Sequence, residues 1–232
     1  RPPAPYIDDT YKVLRYDHRG LGQSSTGNTS VSMADFADDA ALLLNELNIN
    51  KADVIGVSFG GMVAQHLAVR HPKLIRKLVL ACTSPGGPEH SSADLLQLIH
   101  LPLEERQRYW LEMYDTRYRN EQKGKYFVHL LEKMIMRTPT MFPNHASEGL
   151  IRQITARSEH DLSTELHKIS QQCLVLGGKY DGIAPQENLH YLAEHLPFSE
   201  LRFFNGGHSF LWEDESAWES ISAFLRTDDG TL

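Results

Sequence analysis

A chain of 232 residues, 41% hydrophobic and 23% charged, can bury a sizeable core as one domain, or as one domain with an insertion. A formal charge of −7 with no Lys/Arg run argues against a nucleic-acid partner and reads as solubility. No apolar run approaches the ~20 residues that span a bilayer, and Arg1-Pro2-Pro3-Ala4-Pro5 lacks the apolar core of a signal peptide. The two cysteines, Cys82 and Cys173, lie in or beside apolar runs and read as buried free thiols, with a disulfide or a thiol nucleophile as alternatives. They make no disulfide framework, so the expected compartment is reducing, the cytoplasm. The twelve histidines form no H-E-x-x-H or Cys/His spacing, so no metal is expected. His66 and His71, like His190 and His195, are five apart and fall off a common helical face.

In chain order, the alternating, strand-forming residues 11–16 predict a first strand, followed by the loop Asp17-His18-Arg19-Gly20-Leu21-Gly22-Gln23-Ser24. That loop reads as a turn with Asp/Arg pairing, or as the border of a site. Ser32 is an N-cap for a helix through Leu47, with Phe36, Ala40, Leu43, Leu44 and Leu47 on one face. A short buried strand over 52–55 leads through a glycine-rich turn into a helix over 60–71, stopped by Pro72. Residues 77–82 are the next strand. Residues 86–168 hold no strand-like run; helical patterns over 103–115, 123–136 and 145–157 make this segment too long for a connection, so it is expected to be an inserted helical cap. The strand pattern resumes at 172–176 and 201–204, with helices over 185–196 and 214–226. Alternating strands and helices imply βαβ units and a parallel sheet. The expected division is therefore a core of 1–85 and 169–232 with a cap of 86–168.

Within this pattern, Gly56-Val57-Ser58-Phe59-Gly60 fits G-x-S-x-G, a strand-to-helix turn that pushes a serine hydroxyl out of the sheet. Both flanking glycines are expected because a side chain there would collide with neighbouring backbone. By composition the pattern arises by chance in about one such chain in ten, so its context decides. A serine nucleophile needs a base, and the base needs an orienting group. Ligand crevices lie at the carboxyl ends of parallel strands. Asp181 lies five residues past the run ending at Leu176, and His208 four past the run ending at Phe204, each after paired glycines. Taken separately, each reads more readily as an exposed turn aspartate or a capping or solvent histidine; together with the serine turn, and in the order Ser58, Asp181, His208, they read as a triad. His160 and His167 fall in the helical insertion and His190 and His195 in a helix, so they compete poorly.

With these residues the chain resembles the α/β-hydrolase superfamily, and within it the capped lactonase, esterase and C–C hydrolase group. The Asp17–Ser24 loop, the Ser58 turn, Gly178-Lys179-Tyr180-Asp181-Gly182-Ile183-Ala184-Pro185 and Gly206-Gly207-His208-Ser209 carry the resemblance, which covers nearly the whole chain. It implies an α/β fold, a mostly parallel sheet flanked by helices. It also implies a serine hydrolase that cleaves a small ester or lactone without a cofactor, with Ser58 as nucleophile, His208 as base and Asp181 as its orienting group. The backbone N–H of Phe59 is the implied oxyanion donor. Trp110, Met113, Tyr114, Met134, Met136 and Phe142 are candidates for lining an apolar pocket. Acyl transfer, thioester cleavage, C–C hydrolysis and a non-catalytic ligand-binding protein are the alternatives. Serine at 58 argues against the branches that carry an aspartate there.

The family has further strands and a His-Gly-type oxyanion loop ahead of the Asp17 loop, where this chain has sixteen residues. The expectation is a fragment of a longer protein lacking the first strands and the second oxyanion donor. The alternatives are a second copy of the chain or another segment that completes the sheet, and a non-catalytic relative that does without the donor.

Overall fold

The structure, a computed structural model, describes residues 7, 11–27, 30–119 and 147–227. Among them are four parallel strands in the order β1 (Ala52–Val57), β2 (Ile75–Ala81), β3 (Gln172–Gly178) and β4 (Ser199–Phe204). Helices α1 (Met33–Glu46) and α2 (Phe59–Arg70) precede β2. Then come α3 (Leu96–Ile99), α4 (Leu103–Tyr114) and α5 (Glu148–Ser158), with α6 (Gln186–His195) between β3 and β4 and α7 (Phe210–Glu213) and α8 (Ser216–Arg226) at the end.

The apolar strand runs are continuous because both sheet faces are covered. Leu78, Leu80, Cys173 and Val175 pack with Phe36, Met62, Val63, Leu67, Leu189 and Leu192 on one face. Val79, Ala81, Leu174 and Leu176, one residue out of phase, pack with Phe204, Phe210, Trp218, Ile221, Phe224 and Leu225 on the other. Each such large side chain contributes about 1.5–3 kcal/mol by leaving water. Lys77 is fully buried in β2, its ammonium donating to the Phe224 carbonyl at 2.8 Å. The cation thus meets the negative end of α8. In register, Val57 lies beside Ala81, Ala81 beside Leu176, and Gly178 beside Phe204, so the carboxyl ends of all four strands emerge along one edge.

Several expectations need correction. Residues 12–18 take no regular structure, and Val13 and Leu14 are exposed. Alternation alone makes no strand: no described strand lies alongside to take up their backbone groups. Arg19 pairs with Asp39 of α1 rather than with Asp17, whose carboxylate accepts the Gln23 N–H at 3.0 Å. Strands begin or end up to two residues beyond the apolar runs. The helix expected over 145–157 is Glu148–Ser158, with Ser147 capping the Leu150 N–H. The closing helix expected over 214–226 is α8, whose Ser216 N–H is accepted by Asp214, and a separate short helix, α7, precedes it. The helix expected over 123–136, with Met134, Met136 and Phe142, lies outside the described residues. No described helix is long and apolar enough to cross a membrane.

His66 and His71 do diverge, and each finds its own partner. His71 Nε2 meets Asp38 at 2.7 Å. His66 Nε2 meets His160 Nδ1 at 3.1 Å, and His160 Nε2 meets the Ser84 carbonyl at 3.0 Å. The carbonyl only accepts, so His160 carries its proton on Nε2 and His66 donates to it. Burial pushes each histidine down to about 4, helped by Arg70 at His66 and by His66 itself at His160. A histidine held neutral in the fold charges more readily when unfolded. Its stabilisation is therefore complete above the usual pKa near 6.5 and drains as pH falls toward 4. Urea titrations at pH 7.5 and 5 should show a loss of about 2 kcal/mol from His160 and less from the half-buried His66. His160→Gln should remove the larger part of that dependence.

Candidate active site

Ser58 leaves β1 and caps α2 in a conformation with φ 54° and ψ −118°, in the left-handed region that costs a non-glycine residue about 1–3 kcal/mol. Its side chain makes no capping bond, so the hydroxyl is free to point elsewhere. The backbone takes the capping role instead. The Ser58 N–H donates to Ala81 O at 2.8 Å, and its carbonyl accepts the Gly61 N–H at 2.8 Å and the Thr83 hydroxyl at 2.9 Å. A Cβ on Gly56 would lie 2.5 Å from Gly60 O and 2.6 Å from the Gly61 Cα, so that glycine is required. Gly60 is not: a Cβ there meets nothing within 4 Å. The second tight position is Gly61, where a Cβ would lie 2.6 Å from the Thr83 side chain.

Asp181 follows β3 on a turn. Its Oδ1 accepts the N–H groups of Ile183 and Ala184 at 2.8 and 2.9 Å, leaving Oδ2 to face His208 Nδ1 at 2.8 Å. Its side chain is fully buried. The carboxylate accepts, so His208 carries its proton on Nδ1. Nε2 is then the acceptor for the Ser58 hydroxyl, 2.9 Å away. The acid and histidine loops touch directly, since a Cβ on Gly178 would overlap the carbonyl oxygens of Gly206 and Gly207. Helix α4 holds both. The Met113 carbonyl accepts the Gly182 N–H at 2.9 Å, and the Tyr114 carbonyl accepts the His208 N–H at 2.7 Å.

Of the expected pocket residues, Tyr114 sets its ring edge-on to His208 at 5.5 Å, with Trp110 stacked on it at 6.0 Å. Burial pushes the Tyr114 phenol up to about 12, so it stays neutral. Met113 contributes its backbone. Phe59 opens α2, so its N–H is one of the first-turn donors that no helical carbonyl can take up. Its ring is wedged edge-on between Phe36 at 5.1 Å and His18 at 5.4 Å.

Two further neighbours were not placed at the site by the sequence. Cys82, at φ 41°, lies with Asp181 and His208 so that their donor atoms fall within 4.8 Å of one another. Burial and the charge of Asp181 push its thiol well above the ordinary range, so it is neutral. Glu213 accepts the Gly207 N–H at 3.2 Å and the Ser209 hydroxyl at 2.9 Å and pairs with Arg117 at 2.8 Å, bracing the histidine loop from below. Cys82, directly after a β2 run, had a positional signal at the sheet edge. Glu213 had none: Arg117 is 96 positions away, the Gly207 donor is backbone, and the four-residue spacing to Ser209 is not distinctive until the loop is folded.

A serine, a histidine and an aspartate joined across three strand ends of a parallel sheet define the class, and the chain belongs to it. A family model of the alpha/beta hydrolase fold matches residues 3–215. The chain is 31% identical over 236 residues to the poly(3-hydroxyalkanoate) depolymerase of Ectopseudomonas oleovorans, covering 96% of this chain and 77% of that protein. It is 26% identical over 223 residues to 3-oxoadipate enol-lactonase 2 of Acinetobacter baylyi, covering 95% and 81%. A solved hydrolase from Pseudomonas aeruginosa PA01 is similar at a TM-score of 0.73 and 26% identity, over 92% of this chain and 79% of that one. The chain is a hydrolase.

The glycine contacts separate the two flanks of Ser58. Gly56→Ala should destabilise by more than about 2 kcal/mol through backbone overlap, whereas Gly60→Ala, in open helical space, should be neutral or stabilise by about 0.5–1 kcal/mol. Urea denaturation of the two variants checks the contrast.

Proposed function

We propose that this chain is a serine hydrolase that cleaves a carboxylic ester or lactone of a small, partly apolar substrate through an acyl-enzyme. The observation that carries the reading is the unbroken line from Asp181 Oδ2 through His208 Nδ1 and Nε2 to Ser58 Oγ, at 2.8 and 2.9 Å. In that line His208 takes the Ser58 proton as Oγ attacks the carbonyl carbon. Asp181 holds the ring in the required tautomer and stabilises the imidazolium that forms. The Phe59 N–H, at the positive end of α2, receives the developing oxyanion. His208 then returns the proton to the leaving alkoxide oxygen, which departs as the alcohol or, for a lactone, stays tethered as a hydroxyl. Water deprotonated by His208 attacks the acyl-enzyme and releases the acid. The chemistry calls for no metal or organic cofactor.

Residues 86–168 act in this reading as a cap. Its helix α4 hydrogen-bonds to both the acid loop and the histidine loop, and Tyr114 and Trp110 present aromatic surface beside His208. Such a wall favours an apolar acyl or ring group. The names of the relatives, a poly(3-hydroxyalkanoate) depolymerase and an enol-lactonase, support ester-type bonds as the substrate class.

A fluorophosphonate probe should label the wild-type chain once, and Ser58→Ala should abolish labelling. The same variant should lower kcat/KM on p-nitrophenyl butyrate by about 10⁴-fold or more, and Asp181→Asn by about 10⁴-fold. A folded wild-type protein that neither labels nor turns over short p-nitrophenyl esters would overturn the reading and favour a ligand-binding role.

A further inference from the structure

Arg117 lies in the short helical turn Thr116–Arg119 that follows α4. Its one guanidinium meets three separate segments of the chain. Nε donates to Asp115 Oδ1 at 2.9 Å, and Nη2 also reaches Asp115 Oδ2. Nη2 donates as well to Glu213 Oε2 at 2.8 Å. The Cζ lies over the Tyr180 ring, 4.4 Å from its centre.

Each of these partners stands one step from Asp181 or His208. Asp115 follows Tyr114, whose carbonyl accepts the His208 N–H at 2.7 Å. Glu213 Oε1 accepts the Gly207 N–H at 3.2 Å and the Ser209 hydroxyl at 2.9 Å, the residues on either side of His208. Tyr180 directly precedes Asp181. Its carbonyl accepts the Thr116 N–H at 2.8 Å, and its N–H donates to the Gly206 carbonyl at 2.9 Å.

The side chains of Asp115 and Glu213 are only 1% and 6% exposed, so two carboxylates are held out of water around one cation. Burial, with the charge of Asp115, pushes the Glu213 carboxyl up; the Ser209 and Gly207 hydrogen bonds and the charge of Arg117 pull against it. The hydrogen bond to Asp115 leads the contacts that hold the guanidinium above its ordinary range, so it stays a cation. Without it the carboxylates are left uncompensated. A lysine is no equivalent, because a point charge cannot fork to two carboxylates and lie flat on a ring.

We propose that Arg117 is a positioning residue for the contact between Asp181 and His208, acting through Tyr180 on the acid side and through Glu213 and Asp115 on the histidine side. The role rests on the serine-hydrolase reading of those two residues. It makes the placement of α4 and the alignment of acid and base depend on a single cation.

Arg117→Met removes the charge and keeps an unbranched stem. It should lower kcat on p-nitrophenyl butyrate about 10- to 100-fold with KM within about twofold. Arg117→Lys should remain at least about threefold below wild type. Because Arg117→Met leaves buried carboxylates unpaired, the neutral triple variant Asp115→Asn/Arg117→Met/Glu213→Gln separates folding from alignment. It should unfold in urea close to wild type and still be at least about tenfold low in kcat. The His208 Nδ1 proton, hydrogen-bonded to Asp181 in the wild type, gives a downfield proton resonance identified by its loss in His208→Gln. That resonance should weaken or move upfield in Arg117→Met. A kcat within about threefold of wild type in Arg117→Met, a kcat that returns with stability in the triple variant, or an unchanged resonance would overturn the proposal. A wild-type chain whose resonance responds to Arg117→Met but which turns over no ester would sink the hydrolase reading and support the positioning role.

Discussion

The 2.8 Å contact between Asp181 Oδ2 and His208 Nδ1 joins two loops that follow different strands, and the rest of the site is arranged to permit it. The adjacent parallel strands β3 and β4 run in register to Gly178 and Phe204, so both loops start at the same height above the sheet. Gly178 lets the loops come into backbone contact. Two backbone N–H groups occupy Oδ1 and turn Oδ2 toward the ring. With Nδ1 committed as donor, Nε2 is left as an acceptor facing Ser58, and the strained turn after β1 delivers that hydroxyl at 2.9 Å.

Much of the support for this geometry is main-chain. The carbonyls of Met113 and Tyr114 at the end of α4 accept N–H groups from the two loops, so a helix from outside the sheet clamps both. The last-turn carbonyls of a helix have no intrahelical partners, and here those orphan acceptors bind the loops together. Below His208, Glu213 takes two further donors from the same loop and leans on Arg117. Thr83 fastens the Ser58 carbonyl from the neighbouring strand end. Ser58, His208 and Asp181 are therefore each held by neighbouring main-chain and side-chain contacts.

Ser58, Asp181 and His208 were legible because the site sits where strands end, and strand ends are marked by apolar runs breaking into glycines. The same signal misjudged Gly60. The pattern G-x-S-x-G marks two glycines as equivalent, yet only Gly56 faces backbone, and the crowded partner is Gly61 against Thr83. Residues 12–18 misled in another way. Their alternation is that of a strand, but a strand exists only if a neighbour accepts its hydrogen bonds, and none of the described strands does. Glu213 and Arg117 were invisible because isolated charged residues in a sequence look like solvated surface until their partners are placed.

Local pattern was enough for the alternation of strands and helices, the parallel sheet, and the order of serine, acid and histidine. Those features depend on hydrophobic period and turn chemistry, which are written within ten residues or so. Only the tertiary structure decided which atoms meet. It assigned the histidine tautomer through Asp181, brought His66 to His160 across 94 positions, and buried Arg157 with its Nη1 on the Ala93 carbonyl. Contacts of that kind depend on how distant segments pack and on what burial then withholds from water, and neither is encoded in any one stretch of the chain.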